Sequence, residues 1–219
     1  MSSSSSSSDF SPNISDLLSS RLKQVQYNFY DFYSIKDDKV LVESIISILQ
    51  NHRYKDFEVD FRNCSNSFNY LINKGASYLA VASLNSVVIA IVFINKNQNP
   101  TSNKYQVFEI RGVFTRTPID SIKDDSNQSS RYDKKSDPLI ADITPLLIKS
   151  LKELEHHTLL KLISSLHAQV KQTGNPIQLE KQYQSLFIDR DDLQKVGFMT
   201  ENIPTDARTP IKRFFLNIE

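Results

Sequence analysis

The chain has 219 residues, which suits one medium-sized domain with a sizeable core better than two full domains. Its 26 basic and 25 acidic side chains nearly cancel, which argues against nucleic acid or an anionic membrane as partner. The single cysteine, Cys64, excludes an internal disulfide, and no apolar run reaches the length of a membrane span. We therefore expect a cytoplasmic or nuclear protein whose partners are small molecules or other proteins.

The chain begins with a serine homopolymer. Residues 1–20 are too polar to repay the entropy of ordering, so we predict a disordered tail followed by a single domain over 21–219. A short amphipathic segment from Leu17 to Val25 has a helical pattern. The aromatic run in 27–33 then favours a first strand.

Two helices are predicted next. Apolar residues recur at helical spacing between Val40 and Leu49, after the acidic pair 37–38, which suits the first turn of a helix. A shorter helix covers 65–74, with Gly75 placed to end it in a left-handed conformation.

Three consecutive strands are predicted after these helices. The segments 77–82 and 87–94 are apolar and β-branched around the turn signal Asn85-Ser86, which indicates an antiparallel hairpin. The segment 105–116 alternates between apolar and polar residues and predicts a further strand. Strict alternation puts one set of side chains on one face of this strand: Phe108, Ile110, Gly112 and Phe114.

The second half of the chain mixes a polar segment with further elements. Residues 118–137 are almost without apolar side chains and predict an insertion or lid. Thr144-Pro145 suits the start of a helix that ends near His156. The remaining expectations are a buried strand over 159–166, a helix over 177–195 that stops at Gly197, and a last strand over 211–218.

This element order, together with the stretch Leu193-Gln194-Lys195-Val196-Gly197-Phe198, resembles the GCN5-related N-acetyltransferase family over residues 27–219. The resemblance implies an α+β fold with a mixed, mostly antiparallel sheet flanked by helices, of the acyl-CoA N-acyltransferase-like type. It also implies acetyl-CoA as cofactor, bound along the fourth strand. The residues that it assigns to cofactor binding are Val113, Phe114, Thr115 and Arg116.

Two of the family's chemical signatures are missing from this sequence. The family binds the acetyl-CoA pyrophosphate with a glycine-containing loop ahead of the third helix, whereas the segment 136–141 of this chain has no glycine. The family's general-acid tyrosine, four residues before the glycine, is replaced by Leu193. The resemblance then moves that role to Tyr183 or leaves it vacant.

Glu109 is the candidate general base, because many such transferases place one on the fourth strand. A partly desolvated carboxylate there would have a raised pKa and could accept a proton from an ammonium group. The structural alternative is a surface carboxylate paired with Arg111 or with a cross-strand lysine.

The histidines are the other titratable candidates. His156 and His157 follow a predicted helix, where capping of the helix C-terminus is the favoured role. His167 ends the predicted strand over 159–166, near the point where the sheet splays apart. It is a catalytic candidate beside a structural alternative. No spacing of metal-ligating residues indicates a zinc site.

The sequence leaves two function classes open. The first is a divergent acetyltransferase that passes an acetyl group from acetyl-CoA directly to a small amine or a protein amine. The second is a non-catalytic protein-binding module of the same fold, similar to the ornithine decarboxylase antizymes that regulate polyamine synthesis. Loss of the glycine loop and of the tyrosine favours a protein partner, whereas Glu109 favours the enzyme.

Overall fold

The computed structural model describes residues 14–52, 64–98, 104–117, 138–182, 190–203 and 211–219. Within these ranges the helices are α1 (Ile14–Leu22), α2 (Lys39–Asn51), α3 (Cys64–Asn73), α4 (Pro138–Thr173) and α5 (Arg190–Lys195). The strands are β1 (Gln26–Asp31), β2 (Ala76–Leu84), β3 (Val87–Lys96), β4 (Gln106–Thr115), β5 (Ile177–Gln182), β6 (Met199–Ile203) and β7 (Ile211–Ile218).

The seven described strands form one sheet in the order β1-β2-β3-β4-β5-β7-β6. The pairing of β4 with β5 is parallel, and each of the other described pairings is antiparallel. Helix α4 makes the crossover between the two parallel strands, as such a connection requires. The predicted α+β class, with a mixed and mostly antiparallel sheet flanked by helices, is confirmed.

Helices cover both faces of the sheet and divide the core in two. Helices α2 and α3 pack on β2, β3 and β4, around aromatic side chains such as Phe32, Phe68 and Phe93. Helix α4 packs on the opposite face with a buried stripe that recurs at helical spacing. This stripe consists of Leu159, Leu162, Ile163, Leu166 and Val170.

The first half of the chain follows its sequence signals. Asp38 caps α2, since its Oδ1 accepts a hydrogen bond from the Leu41 amide at 3.1 Å. Gly75 ends α3 with φ +90°, and a Cβ there would lie 3.2 Å from the Lys96 carbonyl oxygen. Asn85 and Ser86 both have positive φ, as the predicted hairpin turn demands.

The predicted tail over 1–20 is partly corrected, because α1 begins at Ile14. Leu22 packs against the cluster that contains Leu154 of α4, and this packing contributes the burial that the segment lacks by itself. Residues 1–13 lie outside the described part of the chain, and so does the predicted insert over 118–137.

The predictions for 144–166 were wrong. The predicted strand over 159–166 is helical, because its leucines and isoleucines belong to the buried stripe of α4 and not to the interior of a sheet. The helix does not start at Pro145, which lies inside it, and it continues past His156 to Thr173. An apolar run this dense does not by itself distinguish a buried strand from a buried helix.

The predicted helix over 177–195 was also wrong, because the first part of this segment is β5. Ile177 and Leu179 face α4, while Gln178 and Glu180 face the other side, so the segment has the period of a strand. Only α5 is helical among the described residues of 177–195, and Gly197 follows it with φ +95°, as expected of a helix stop.

A candidate acyl-transfer site where two parallel strands diverge

The parallel pairing of β4 with β5 is short. It runs from Gln106 and Ile177 to Glu109 and Glu180, although β4 continues to Thr115. Within the described residues the register of β4 with β5 ends at Glu109 and Glu180, and we call the space between the two strands beyond this point the β4–β5 gap. Strand main chain carries hydrogen-bonding groups along its edge that a ligand can reach in such a gap.

A β-bulge in β4 lies at the start of this gap. Ile94 of β3 is paired with Ile110 and Phe93 with Gly112, so Arg111 is the extra residue on β4. The bulge shifts the alternation of side chains, and Phe114 joins the core under α2 and α3 while Phe108 and Ile110 face α4. The sequence expectation of a single face for these residues was therefore wrong.

Two carboxylates flank the point of divergence. Phe108 and Ile110 pack towards α4, so Glu109 between them projects from the opposite face, and Glu180 does the same on β5. Neighbouring strands lie about 4.8 Å apart, so these register partners stand side by side. The negative charge of Glu109 is one of the causes that raise the pKa of Glu180.

Glu109 pairs with Arg111, as the structural alternative in the sequence analysis expected. The guanidinium Nη1 lies 3.0 Å from Glu109 Oε2, and about a third of the Glu109 side chain is exposed, at 34%. The carboxylate is therefore paired with a cation and partly open to solvent.

Glu180 is the more buried of the two, with 6% of its side chain exposed. Burial is the largest cause of the raised pKa of this carboxyl, and the nearby guanidinium of Arg213 opposes it. Arg213 donates from Nη1 to Glu180 at 2.9 Å and from Nη2 to Glu201 at 2.5 Å. These charges line the same face of β5, β7 and β6.

Lys181 reaches into the β4–β5 gap. Its side chain is buried, and Nζ donates to the main-chain oxygens of Ile110 at 3.0 Å and Arg111 at 3.3 Å. The ammonium thus donates to two main-chain oxygens of β4, a role that the amide groups of a paired strand have elsewhere in a sheet. Burial lowers the pKa of Lys181 to about 8, although the charge of Glu109 opposes this shift.

The predicted cofactor residues occupy the last part of β4. Val113 and Phe114 bury their side chains on opposite faces of the sheet, so only their main chain is available to a ligand in the gap. The Thr115 oxygen accepts a hydrogen bond from His52 Nε2 at 2.6 Å. Arg116 binds β3, with its Nε donating to the Val88 oxygen at 3.0 Å. Their role in cofactor binding stays a prediction.

The remaining site predictions have different outcomes. His167 belongs to α4, which covers the face of the sheet opposite to that of Glu109, so the structure does not bring these two together. His156 and His157 lie inside α4 and do not cap its end, since the helix continues to Thr173. Tyr183 lies outside the described residues.

A basic cavity lies between α4 and α5. Its volume is about 610 Å³. Lys149, Lys152 and His156 line it from successive turns of α4, and Lys195 lines it from α5. Glu153 and Asp191 also line this cavity, so three lysines face two carboxylates.

Glu180, Lys181 and Arg213 were not among the residues predicted from the sequence. The signal was present for the first two, since Gly174-Asn175-Pro176 interrupts a helix and the next residues alternate between apolar and polar. Arg213 becomes relevant only through the pairing of β7 with β5, which places it beside Glu180.

Two kinds of site find no support in the described residues. There, no three histidine, cysteine, aspartate or glutamate side chains come together as a metal ion would require. None of the described helices combines the length and the apolar character needed to cross a membrane.

Solved structures with a similar fold are acetyltransferases. An aminoglycoside 6'-acetyltransferase of type Ii is 10% identical with a TM-score of 0.49, over 89% of this chain and 97% of its own. The aminoglycoside 6'-N-acetyltransferase from Enterococcus faecium is 8% identical with a TM-score of 0.46, over 89% and 97%. The ribosomal-protein-S18-alanine N-acetyltransferase from Escherichia coli is 12% identical with a TM-score of 0.44, over 88% and 94%.

At these identities and TM-scores the likenesses carry no argument by themselves. No family model and no curated protein matches the sequence. The strand order, the single parallel pairing among the described strands and the crossover helix α4 agree with the architecture that the sequence resemblance implies. The fold is GCN5-related N-acetyltransferase-like.

Proposed function

We propose that this chain is an acetyltransferase that passes an acetyl group from acetyl-CoA to an amine, with the β4–β5 gap as the acyl-donor site. The observation that carries the proposal is the divergence of β4 and β5 at Glu109 and Glu180. It sets the main chain of β4 beyond the register with β5 beside two carboxylates on one face. Main chain binds and orients a thioester arm, and a carboxylate accepts the proton of the attacking amine.

The gap suits the amide-containing arm of acetyl-CoA. The oxygens of Ile110 and Arg111 already accept hydrogen bonds from Lys181 Nζ, so donor groups bind main-chain oxygens along this edge of β4, and the arm would bind beside the lysine. Bound acetyl-CoA would supply the activated acetyl group. Val113 and Thr115 would contribute main-chain contacts further along β4.

The anionic end of acetyl-CoA needs cations, because the chain lacks the family's glycine loop. The basic cavity between α4 and α5 supplies Lys149, Lys152 and Lys195. Leu154 of α4 packs near Ala90, which is the register partner of Thr115, so this half of α4 lies at the same end of the sheet as the gap. Lysines there would bind phosphate groups as point charges.

Glu109 is the favoured general base and Glu180 its neighbour of raised pKa. The amine approaches the face of the sheet that carries both, and a neutral amine is required for attack on the thioester carbon. Glu109 is the more exposed of the two and accepts the ammonium proton. Glu180 keeps a negative charge close to the incoming cation.

Calorimetric titration with acetyl-CoA, paired with a thiol-release assay on a panel of amines, tests the proposal. We expect saturable binding that Lys149→Gln weakens several-fold, while Lys171→Gln at the exposed end of α4 leaves it unchanged. A full-length chain that binds no acetyl-CoA at millimolar concentration would rule out the acetyltransferase.

Lys181 is the observation that favours a second candidate, a non-catalytic protein-binding module such as an antizyme-like inhibitor of polyamine synthesis. Its Nζ already donates hydrogen bonds to main-chain oxygens of β4 in the gap, so a side chain of the protein itself takes the place that a ligand would have there. This candidate predicts a stoichiometric protein partner in a pull-down together with no heat on titration with acetyl-CoA. Binding of acetyl-CoA without such a partner would count against it.

A further inference from the structure

We infer that Lys181 is itself an acyl acceptor, so that the protein acetylates its own lysine in the β4–β5 gap when a short acyl thioester binds there. The inference rests on the proposed donor site. It goes beyond that function because it assigns a covalent modification site to a residue that the transfer to an external amine does not use.

The position of the amine carries the inference. Lys181 Nζ lies 3.0 Å from the Ile110 oxygen, between strands and directly at the bulge where β4 and β5 separate. A thioester whose arm follows β4 would place its carbonyl carbon close to this nitrogen. When the amine and the thioester carbon are held close together, their reaction no longer needs a bimolecular encounter, and its rate rises by several orders of magnitude.

The electrostatic surroundings keep the amine reactive. Lys181 is 2% exposed, and burial disfavours its charged form, as the lowered pKa of about 8 reflects. The charge of Glu109 raises the pKa of Lys181, and the charge of Arg111 lowers it. A useful fraction of neutral amine is therefore present at mildly alkaline pH, in contrast to an exposed lysine.

The reaction balances without a further reactant. The ammonium first releases one proton to solvent, and the neutral nitrogen then attacks the thioester carbon. The new C–N bond forms as the C–S bond breaks, and the leaving thiolate takes the second proton of the amine. The product is a stable amide that fills the gap and has lost the charge that bound Ile110 and Arg111.

The modification would switch off the donor site. An acetylated Lys181 keeps its bulk between the strands but no longer donates as an ammonium to two main-chain oxygens. The acyl group then occupies space that the thioester arm of the next donor needs. We expect acetyl-CoA affinity to fall at least tenfold in the acetylated chain.

The test is site-resolved mass spectrometry of the purified full chain after incubation with isotopically labelled acetyl-CoA. We expect acetylation at Lys181 at least tenfold above that at Lys171, an exposed lysine on α4. Acetyl phosphate serves as a small donor with no thioester arm, and with it the preference should reverse towards Lys171. Unfolding the chain in urea should make the two lysines equally reactive.

The outcomes separate this inference from the proposed function. Saturable acetyl-CoA binding and acetylation of added amines, without enrichment at Lys181, would overturn the inference alone. Absence of both binding and enrichment would overturn it together with the donor site. Lys181→Arg retains the charge and donors but forms no stable amide, so its acetyl-CoA affinity should stay constant during an incubation that weakens binding by the unmodified chain.

Discussion

Glu109 and Glu180 are register partners at the last paired position of the parallel strands β4 and β5. Each is held by an arginine, Glu109 by Arg111 and Glu180 by Arg213. Burial does most to raise the pKa of Glu180, the guanidinium of Arg213 opposes this rise, and the charge of Glu109 adds to it. The two arginines thus stabilise a pair of carboxylates at the edge of the gap. In the proposed function Glu109 is the base and Glu180 a negative charge near the amine.

The first prediction concerns the general base. Glu109→Gln should lower the turnover of amine acetylation by about a hundredfold or more, because the proton of the amine loses its acceptor. Acetyl-CoA affinity should be unchanged, since the proposed donor site uses the main chain of β4 and not the Glu109 carboxylate. The free energy of unfolding should change by less than about 1 kcal/mol, because the ion pair with Arg111 is partly exposed.

Steady-state kinetics and chemical denaturation measure these quantities. Glu43→Gln, an exposed substitution on α2, is the matched control and should leave both unchanged. An unaltered turnover in Glu109→Gln would assign the proton transfer to another group, with Glu180 the next to be substituted.

The second prediction concerns the pH dependence set by Glu180. Its pKa is raised by burial, and Arg213 works in the opposite direction. Arg213→Met removes that cation, so the pKa should rise further and the charged form should need a higher pH. We expect the acid limb of kcat/KM against pH to move to higher pH in this variant, while Lys212→Met leaves the limb in place.

Stability measurements complement the pH profile. The folded pKa of Glu180 lies above its unfolded value, so its contribution to stability is largest at low pH and is lost as the pH rises through the folded pKa. Arg213→Met should steepen this loss, and the double variant Arg213→Met, Glu180→Gln should remove it. A limb that stays in place in Arg213→Met would show that Glu180 does not control the profile.

The sequence predicted the β2–β3 half of the fold well because local signals and tertiary structure agree there. The turn Asn85-Ser86 and the strands beside it need no distant partner to be recognised. The predictions for the second half of the chain failed where a run of apolar residues shows neither the period of a helix nor that of a strand. Leu159 and Leu166 lie in an apolar run compatible with a strand, and only their packing from α4 onto the sheet decides in favour of a helix.

The site was partly predictable for a related reason. Glu109 could be identified from the family resemblance and from a strand pattern that the structure preserves as far as Ile110. The role of Lys181 could not, because it depends on the bulge at Arg111 and on the end of the β4–β5 pairing. Both are features of register between distant segments, and a shift of one residue reverses which face a side chain occupies.

The third prediction concerns the hairpin turn. Ser86 has φ +65°, a conformation in which a Cβ is strained by about 1 kcal/mol, whereas glycine adopts it freely. Ser86→Gly should therefore raise the free energy of unfolding by roughly 0.5–1 kcal/mol. Ser83→Gly, inside β2, should lower it. Chemical denaturation of the two variants against the unaltered chain checks the sign, and a loss of stability in Ser86→Gly would contradict the assigned turn.

The fourth prediction follows from the buried ammonium of Lys181. Its folded pKa of about 8 lies below the ordinary lysine value of 10.5, so the unfolded chain binds more protons between these limits. The cost of burying the charge is therefore present below pH 8 and is relieved as the pH rises towards 10.5. At about 1.4 kcal/mol per pKa unit, the relief amounts to roughly 3 kcal/mol. Lys181→Met carries no such charge, so the stability of the unaltered chain relative to this variant should increase by that amount between pH 7 and pH 10.5.

Urea denaturation of both chains across this range measures the difference, in which the titration of shared tyrosines and lysines cancels. Parallel curves for the two chains would mean that Lys181 titrates as an ordinary exposed lysine and that the ammonium is not held in the β4–β5 gap.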